Sequence, residues 1–472
     1  MDRKYWILSA VLMGTVMGPL DTSVVNVAMP TLSEVFKSGM TTVSWVSMSY
    51  LLVLSSLLLT YGRLGDMLGY RRLFLLGMIV FTAASVLCGL SPTIGILIMA
   101  RALQAAGAGL MMAVAPAIIT RTFPPAERGK ALGYNAMAVA VGLSVGPSFG
   151  GFLLKSFGWR SIFFINVPIG VAGYIWAKSI IPVENEFHKE RFDPPGALLG
   201  FVFLASILLY ISKGQEIGWT SGVGFLLLMI SIVSFISFII WEKRAVEPML
   251  DLSLFSNRMF SAGNLSCLLN FIAQYMMVFL TPFFLDRAGY STNQIGLIMT
   301  AFPITMLMVA PISGTLSDKI GPLFLSTGGA LICSVALYLM STLNLSSSRS
   351  EVVWRLVLFG LGNGLFQTPN NSSVMGSAPR ERQGIASGVL ATMRNVGMVL
   401  GIALGSGLFS MRNAYYLDIL PQSGKALQDA AYMNGLRDMF VLTAMIDLLC
   451  MITSMVRGKQ ETGREILLED RK

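Results

Sequence analysis

Fourteen runs of apolar residues, each long enough to cross the hydrocarbon core of a bilayer as a helix, recur along the 472-residue chain. They lie at 6–29, 44–61, 73–90, 94–118, 134–154, 162–181, 196–212, 221–241, 260–282, 294–312, 323–342, 353–371, 387–410 and 438–456. In lipid the backbone has no water to bond, so such runs are stable only as helices or as strands of a closed barrel, and their length selects helices. Composition agrees: 12% of residues are charged, against about 25% in a soluble domain. The expectation is an all-α polytopic protein, multi-pass in the cell (cytoplasmic) membrane, surrounded by the lipid bilayer and acting as a monomer.

An even number of spans leaves both termini on one side. With both termini cytoplasmic, the inner segments hold 21 Lys and Arg and the outer ones 9, the asymmetry the positive-inside rule asks for. The net charge of +9 then reflects topology rather than a nucleic-acid surface. The first run contains Asp21, ends at Pro30 and is too long for a secretory leader, so it reads as a retained helix. Cys88, Cys267, Cys333 and Cys450 lie inside apolar runs with no pairing or metal spacing. The single histidine, His188, lies in a polar loop. No metal, no cofactor and no intramembrane histidine relay is expected, and the absence of a Walker-type loop excludes ATP hydrolysis by that route.

The chain repeats itself. Gly62-Arg63-Leu64-Gly65-Asp66-Met67-Leu68-Gly69-Tyr70-Arg71-Arg72 sits between two apolar runs, and a worn copy, 314–322 with Asp318, sits between two others 252 residues on. Glu127-Arg128-Gly129-Lys130 is echoed by Glu381-Arg382-Gln383-Gly384, and Gly107, Gly109 and Pro116 by Gly360, Gly362 and Pro369 at an offset of 253. Two six-helix bundles, 1–181 and 260–456, therefore flank a linker with two inserted helices, 182–259, and a cytoplasmic tail, 457–472, follows. Paired bundles of this kind place a substrate site between the halves near the midplane. Pro182, Pro194 and Pro195 mark a hinge after the first half, and 242–259 reads as an interfacial segment.

Asp21 is the sharpest chemical candidate. A carboxylate inside a span costs roughly 2.5–3.5 kcal/mol unless neutralised, paired or hydrated, so it either binds and releases a proton or pairs with a neighbouring helix. Arg101 either snorkels or faces the cavity and modulates that carboxylate. Gly142, Gly146 and Gly150 recur every four residues beside Pro147 and Gly151, a small-residue face for close helix packing. It is a static seam or a pliable seal, and Gly397, Gly401 and Gly405 repeat it. Asp447 is a second protonation site or a structural pair, with Arg394 a possible partner or a cavity residue. In the loop, Arg63, Asp66, Arg71 and Arg72 either form a charge relay between helix ends or a solvated turn that only obeys the positive-inside rule; the glycine spacing, with Gly62 and Gly69 allowing a tight turn, argues for the relay. Amides and amphipathic rings avoid lipid, which makes Asn26, Trp45, Tyr50, Gln104, Asn264, Asn270, Gln274, Tyr275, Asn370 and Asn371 candidates for the cavity wall.

These motifs resemble those of the major facilitator superfamily, and within it the fourteen-span drug:proton antiporter family. The likeness covers essentially the whole chain. Residues 62–72 are similar to the family's signature between helices 2 and 3, Arg101 to Gly109 to its fourth-helix signature, and Gly142-x-x-x-Gly146-Pro147-x-x-Gly150-Gly151 to its antiporter signature. Leu20 to Pro30 resembles the first-helix motif, and Trp159-Arg160 with Phe164 to Gly170 the sixth-helix segment. The resemblance implies proton-driven export by alternating access, with Asp21 coupling protons and Asp66 latching the cytoplasmic side in the outward-open state. Acids that some cation exporters of the family carry in helices 10 and 13 are missing here, which argues against polyvalent organic cations.

The functional expectation is therefore not an enzyme but a proton-coupled secondary active exporter of lipophilic or cationic small molecules. An exporter specific for one lipid, antibiotic or metabolite is the alternative, ahead of a non-transporting membrane sensor.

Overall fold

The structure, a computed structural model, describes residues 2–183, 193–218, 221–244, 252–379, 382–420 and 423–456. The tail 457–472 and parts of the linker, 184–192 and 245–251, lie outside the described residues. The first half contains α1 (Arg3–Val35), α2 (Met40–Leu68), α3 (Tyr70–Leu90), α4 (Ile94–Thr122), α5 (Pro125–Phe157), α6 (Ser161–Phe164) and α7 (Asn166–Ile180). The inserted pair is α8 (Pro194–Ile217) and α9 (Gly222–Glu242), followed by a 3-10 turn, Leu252–Ser256. The second half contains α10 (Arg258–Arg287), α11 (Thr292–Met299), α12 (Ala301–Ile320), α13 (Pro322–Met340), α14 (Arg349–Gly376), α15 (Gln383–Ile419) and α16 (Gly424–Met455).

Two traverses are each broken once, α6/α7 at Ile165 and α11/α12 at Thr300. Pro168 and Pro303 lie three residues past the breaks and offer no N–H to the carbonyls of Phe164 and Met299, which loosens the helix there. Among the described residues, thirteen helical stretches are long and apolar enough to cross a membrane. The remaining long helix, α14, has 28 residues, and its Arg349, Glu351, Arg355, Asn363, Gln367, Asn370 and Asn371 make it more polar than the others.

The halves repeat in their packing. Gly142 of α5 faces the Val16 carbonyl and Leu20 nitrogen of α1, and Gly146 faces Ser23 and the Leu20 carbonyl. In the second half Gly397 of α15 faces the Leu268 carbonyl of α10, and Gly401 faces the Ile272 carbonyl and Tyr275. Positions on α1 thus map to α10 at an offset of 252, and those on α5 to α15 at 255. On α4, Gly107 lies against Gly77 and Phe81 of α3, and the residue in that role on α14 is Gly362, against Gly329 and Cys333 of α13. The sequence echo of Gly107 with Gly360 at 253 is therefore corrected to 255 by packing; Gly360 instead meets the Phe302 carbonyl of α12. A Cβ on Gly107 would press on the Phe81 backbone, which cannot yield as a side-chain tip can. Gly107→Ala is expected to destabilise by about 1–3 kcal/mol, read as a lower melting temperature of the detergent-solubilised protein.

Candidate functional site

Asp21 is 1% exposed and Arg101 0% exposed. The Arg101 guanidinium donates from Nη1 to Asp21 Oδ2 in a short, fully buried ion pair. Gln104 Nε2 and Asn166 Nδ2 donate to Asp21 Oδ1 at 3.0 and 2.8 Å. Arg101 Nε donates to the Val46 carbonyl at 3.1 Å, and its guanidinium carbon lies 4.4 Å from the Tyr50 ring centroid. Gln104 Nε2 also donates to Ser85 Oγ at 2.8 Å. Five helices of the first half, α1, α2, α3, α4 and α7, therefore meet around one carboxylate. Removing both charges from water is costly and is offset only where geometry and further hydrogen bonds are good, which the three donors on Asp21 and the Val46 carbonyl on Arg101 supply.

That arrangement rules out a snorkelling Arg101: the guanidinium pairs with the Asp21 carboxylate, as the second reading has it, from a fully buried position. Gln104 and Tyr50 also belong to the cluster, so Gln104 is not a cavity-wall residue. Asn166 and Ser85 complete the cluster and were not singled out from sequence, although an amide in an apolar run is the signal that identified the others. Mapped at the packing offsets, Asp21 corresponds to Ala273 and Arg101 to Leu356. The second half has no such pair at these positions.

The glycine face of α5 packs within its own half through Gly142, Gly146 and Gly150, and α5 meets the second half through Pro147, Ser148 and Gly151. Pro147 cannot donate to the Leu143 carbonyl, and Ser23 Oγ of α1 takes that carbonyl at 3.0 Å. Gly146 makes this approach possible, since a Cβ there would sit 2.5 Å from Ser23 Cβ. Gly151 points the other way, onto the Thr292 carbonyl of α11 in the second half, and the Pro147 carbonyl lies against Gly296, where a Cβ would overlap it. Ser148 Oγ and Thr300 Oγ1 add a 2.6 Å hydrogen bond across the same seam. On the opposite flank Thr41 of α2 and Ser410 of α15 approach to 3.4 Å. The halves thus meet at the end of the bundle where α5 finishes and α11 begins. Nothing in the sequence around Gly296 marks it.

Between the halves lies a narrow cleft whose wall includes Ser23, Asn26, Gln274, Tyr275, Phe302 and Met306. Three of the sequence candidates, Asn26, Gln274 and Tyr275, are thus brought together. Asn26 Oδ1 also accepts from Ser47 Oγ at 3.2 Å. Gln367 Nε2 donates to Gln274 at 2.9 Å and to Asn363 at 3.1 Å, linking the cleft to the interior of the second half. There Asn270 donates to Asp447 Oδ1 at 3.3 Å, with the Cys333 and Cys450 thiols facing the same carboxylate. Asn270 and Asp447 are both 0% exposed, so Asn270 is an interior residue rather than a cavity one. No ion pair reaches Asp447 among the described residues, and Arg394 is not its partner; Arg394 is half-buried near Tyr275. Asn370 is fully buried, Asn264 bonds its own helix at the Phe260 carbonyl, Trp45 is buried on α2, and Asn371 is exposed.

The two signature loops are one-residue turns. Gly69 and Gly321 have φ of +92° and +86°, a conformation that favours glycine, and each reverses the chain between antiparallel helices. Arg71 Nη2 donates to the Lys178 carbonyl at 2.7 Å, within its own half. It therefore ties α3 to α7 here, and Arg72 is exposed. The side chains of Gly62, Arg63, Asp66 and Asp318 lie outside the described residues.

The profile of the Major Facilitator Superfamily matches residues 11–402. The riboflavin transporter RibZ of Clostridioides difficile is 37% identical over 88% of this chain and 90% of its own. The multidrug resistance protein Stp of Mycobacterium tuberculosis is 32% identical over 90% of this chain and 79% of its own. The tetracenomycin C resistance and export protein of Streptomyces glaucescens is 29% identical, covering 92% and 83%. In fold, the chain is similar to a bacterial homologue of the human lysosomal transporter Spinster, solved inward-facing and unoccupied, with TM-score 0.69, 18% identity and 97% of each chain covered. With two repeated six-traverse halves, a cleft between them and these matches over most of its length, the chain belongs to the Major Facilitator Superfamily of membrane transporters.

Proposed function

We propose that this transporter is a proton-coupled exporter working by alternating access, with fourteen spans and both termini in the cytoplasm. The observation that carries the reading is the fully buried Asp21–Arg101 pair on α1 and α4, because α1 also lines the cleft through Ser23 and Asn26. A proton on Asp21 removes the charge that holds Arg101, while Arg101 keeps Gln104 and the Val46 carbonyl. The tie between α1 and α4 then weakens. Because the α5 glycine face is locked onto α1, movement of α1 carries α5 with it and lifts the Pro147 carbonyl from Gly296 at the seam. Protonation favours one arrangement of the halves only through such a differential contact. The driving force is the proton gradient, with about 2.3 kcal/mol per charge per 100 mV of membrane potential.

Among the described residues Asp447 has no counter-charge and no contact with the seam, so the proposal gives it a structural role and leaves coupling to Asp21 and Arg101. Gly62, Arg63, Asp66, Gly69, Arg71, Arg72 and Asp318 are assigned to a cytoplasmic latch used in the opposite state. The cleft wall combines amides with aromatic and thioether groups and has no carboxylate, which favours lipophilic or singly charged compounds.

A second reading is a transporter dedicated to one flat heteroaromatic metabolite. The 37% identity to a riboflavin transporter and a wall that pairs Gln274 with Tyr275 and Phe302 favour it. Proteoliposomes with an imposed proton gradient test both, with ethidium and riboflavin as trial substrates. Uphill movement of at least one, abolished when nigericin and valinomycin collapse the gradient, is the expected result. Transport indifferent to the ionophores overturns proton coupling, and movement of riboflavin alone selects the second reading.

A further inference from the structure

Away from the central cleft, a cavity of about 360 Å³ opens between α2, α15 and the inserted pair α8 and α9, at the bundle end that carries the 62–72 loop. Ser56 and Thr60 of α2 and Val389, Thr392 and Met393 of α15 form two of its walls, while Thr41 and Ser410 of the same two helices approach each other nearer the other end. Five phenylalanines line it, among them Phe203, Phe235 and Phe238. Three of its lining residues carry polar side chains, Ser56, Thr60 and Thr392, and two of the hydroxyls are occupied: Ser56 donates to the Leu52 carbonyl and Thr392 to the Gly388 carbonyl on their own helices. A buried water needs two to four polar partners, and this wall does not provide them. Phe235 is 44% exposed while also lining the cavity, so the space communicates with the flank of α9. Elsewhere around α9, Val233 and Ile236 are both more than half exposed, on the outer surface that would meet lipid.

We propose that this cavity is an apolar binding site, built by the inserted helix pair, that takes the acyl chain of a phospholipid from the adjoining leaflet. A void that water does not wet and hydrocarbon reaches is filled by hydrocarbon. The acyl chain sits between α2 of the first half and α15 of the second, so lipid binding favours arrangements of the halves that keep this space open. Val389 and Thr392, 3% and 8% exposed, line the site and are reached by an acyl chain only from within it.

The full-length protein in nanodiscs of phosphatidylcholine with a diazirine-bearing acyl chain provides the test, with adducts mapped by mass spectrometry after illumination. Adducts on 389–393 are expected as well as on Ile236. Gly200→Leu fills the cavity from α8, where a Cβ meets Phe238 at an ordinary 3.4 Å. It is expected to cut the 389–393 adducts at least fivefold and leave those on Ile236 unchanged. Thr392→Leu, from the opposite wall, is expected to act alike and covers the case in which Gly200→Leu fails to fold. Adducts confined to the outer face of α9, or unchanged in the filled variants, overturn the proposal. Displacement of the 389–393 adducts by ethidium or riboflavin assigns the cavity to transported compound instead of lipid and also overturns it.

Discussion

Gly296→Val is expected to yield a folded protein whose halves no longer close where α5 meets α11. The valine Cβ overlaps the Pro147 carbonyl, a backbone atom inside a helix already bent at that proline, and neither side has a flexible tip to move. Overpacking of this kind costs about 1–3 kcal/mol. Spent on one conformation alone, that shifts the equilibrium between closed and open arrangements by roughly 5–150-fold, with a comparable loss of transport. Spin labels on Phe157→Cys and Leu297→Cys report the separation directly, since both positions are exposed and all four native cysteines are buried. The variant should show the longer distance as its main population. An unchanged distance distribution with normal transport contradicts the assignment of this seam as a moving closure. Gly151→Ala, whose Cβ would sit 2.8 Å from the Thr292 carbonyl, should act in the same direction.

Asp21→Ala and Arg101→Leu are each expected to destabilise by about 3–5 kcal/mol, because each leaves an uncompensated charge in a fully buried site. Replacing both is expected to recover most of that loss, since a buried pair exchanged for apolar groups is often neutral. The second half already carries this solution, Ala273 and Leu356, at the matching positions. The double variant should therefore melt near the wild-type temperature yet remain uncoupled, separating the pair's role in transport from any role in folding. Thermal unfolding in detergent, read with proton flux in proteoliposomes, checks both parts. A double variant no more stable than the singles contradicts the packing argument, and one that still couples contradicts the functional assignment.

Much of this was legible in the sequence because lipid imposes strong rules. Run length set the helices, and a carboxylate in an apolar run marked Asp21. A four-residue glycine period marked a packing face. What stayed hidden depends on facts that one helix does not carry. Arg101 in its sequence context fits a snorkelling cation as well as a buried one, and only the meeting of five helices on Asp21 decides. That amides avoid lipid points Gln104 and Asn270 to the cavity, but a polar interior satisfies the same constraint. The 253-residue echo misled by two positions because glycines two apart on one helix face different neighbours. Gly296 was invisible because its need for a missing side chain comes from Pro147 in the other half.

The most direct measurement of the central claim is simultaneous substrate and proton flux across proteoliposomes containing the wild type or Asp21→Asn, with ethidium or riboflavin as substrate and an internal pH-sensitive dye. In the wild type, outward substrate movement should be accompanied by proton entry and should run uphill when a proton gradient is imposed. Asp21→Asn should retain downhill substrate movement while losing both proton entry and uphill transport. Proton entry and uphill transport at wild-type rates in Asp21→Asn contradict the account.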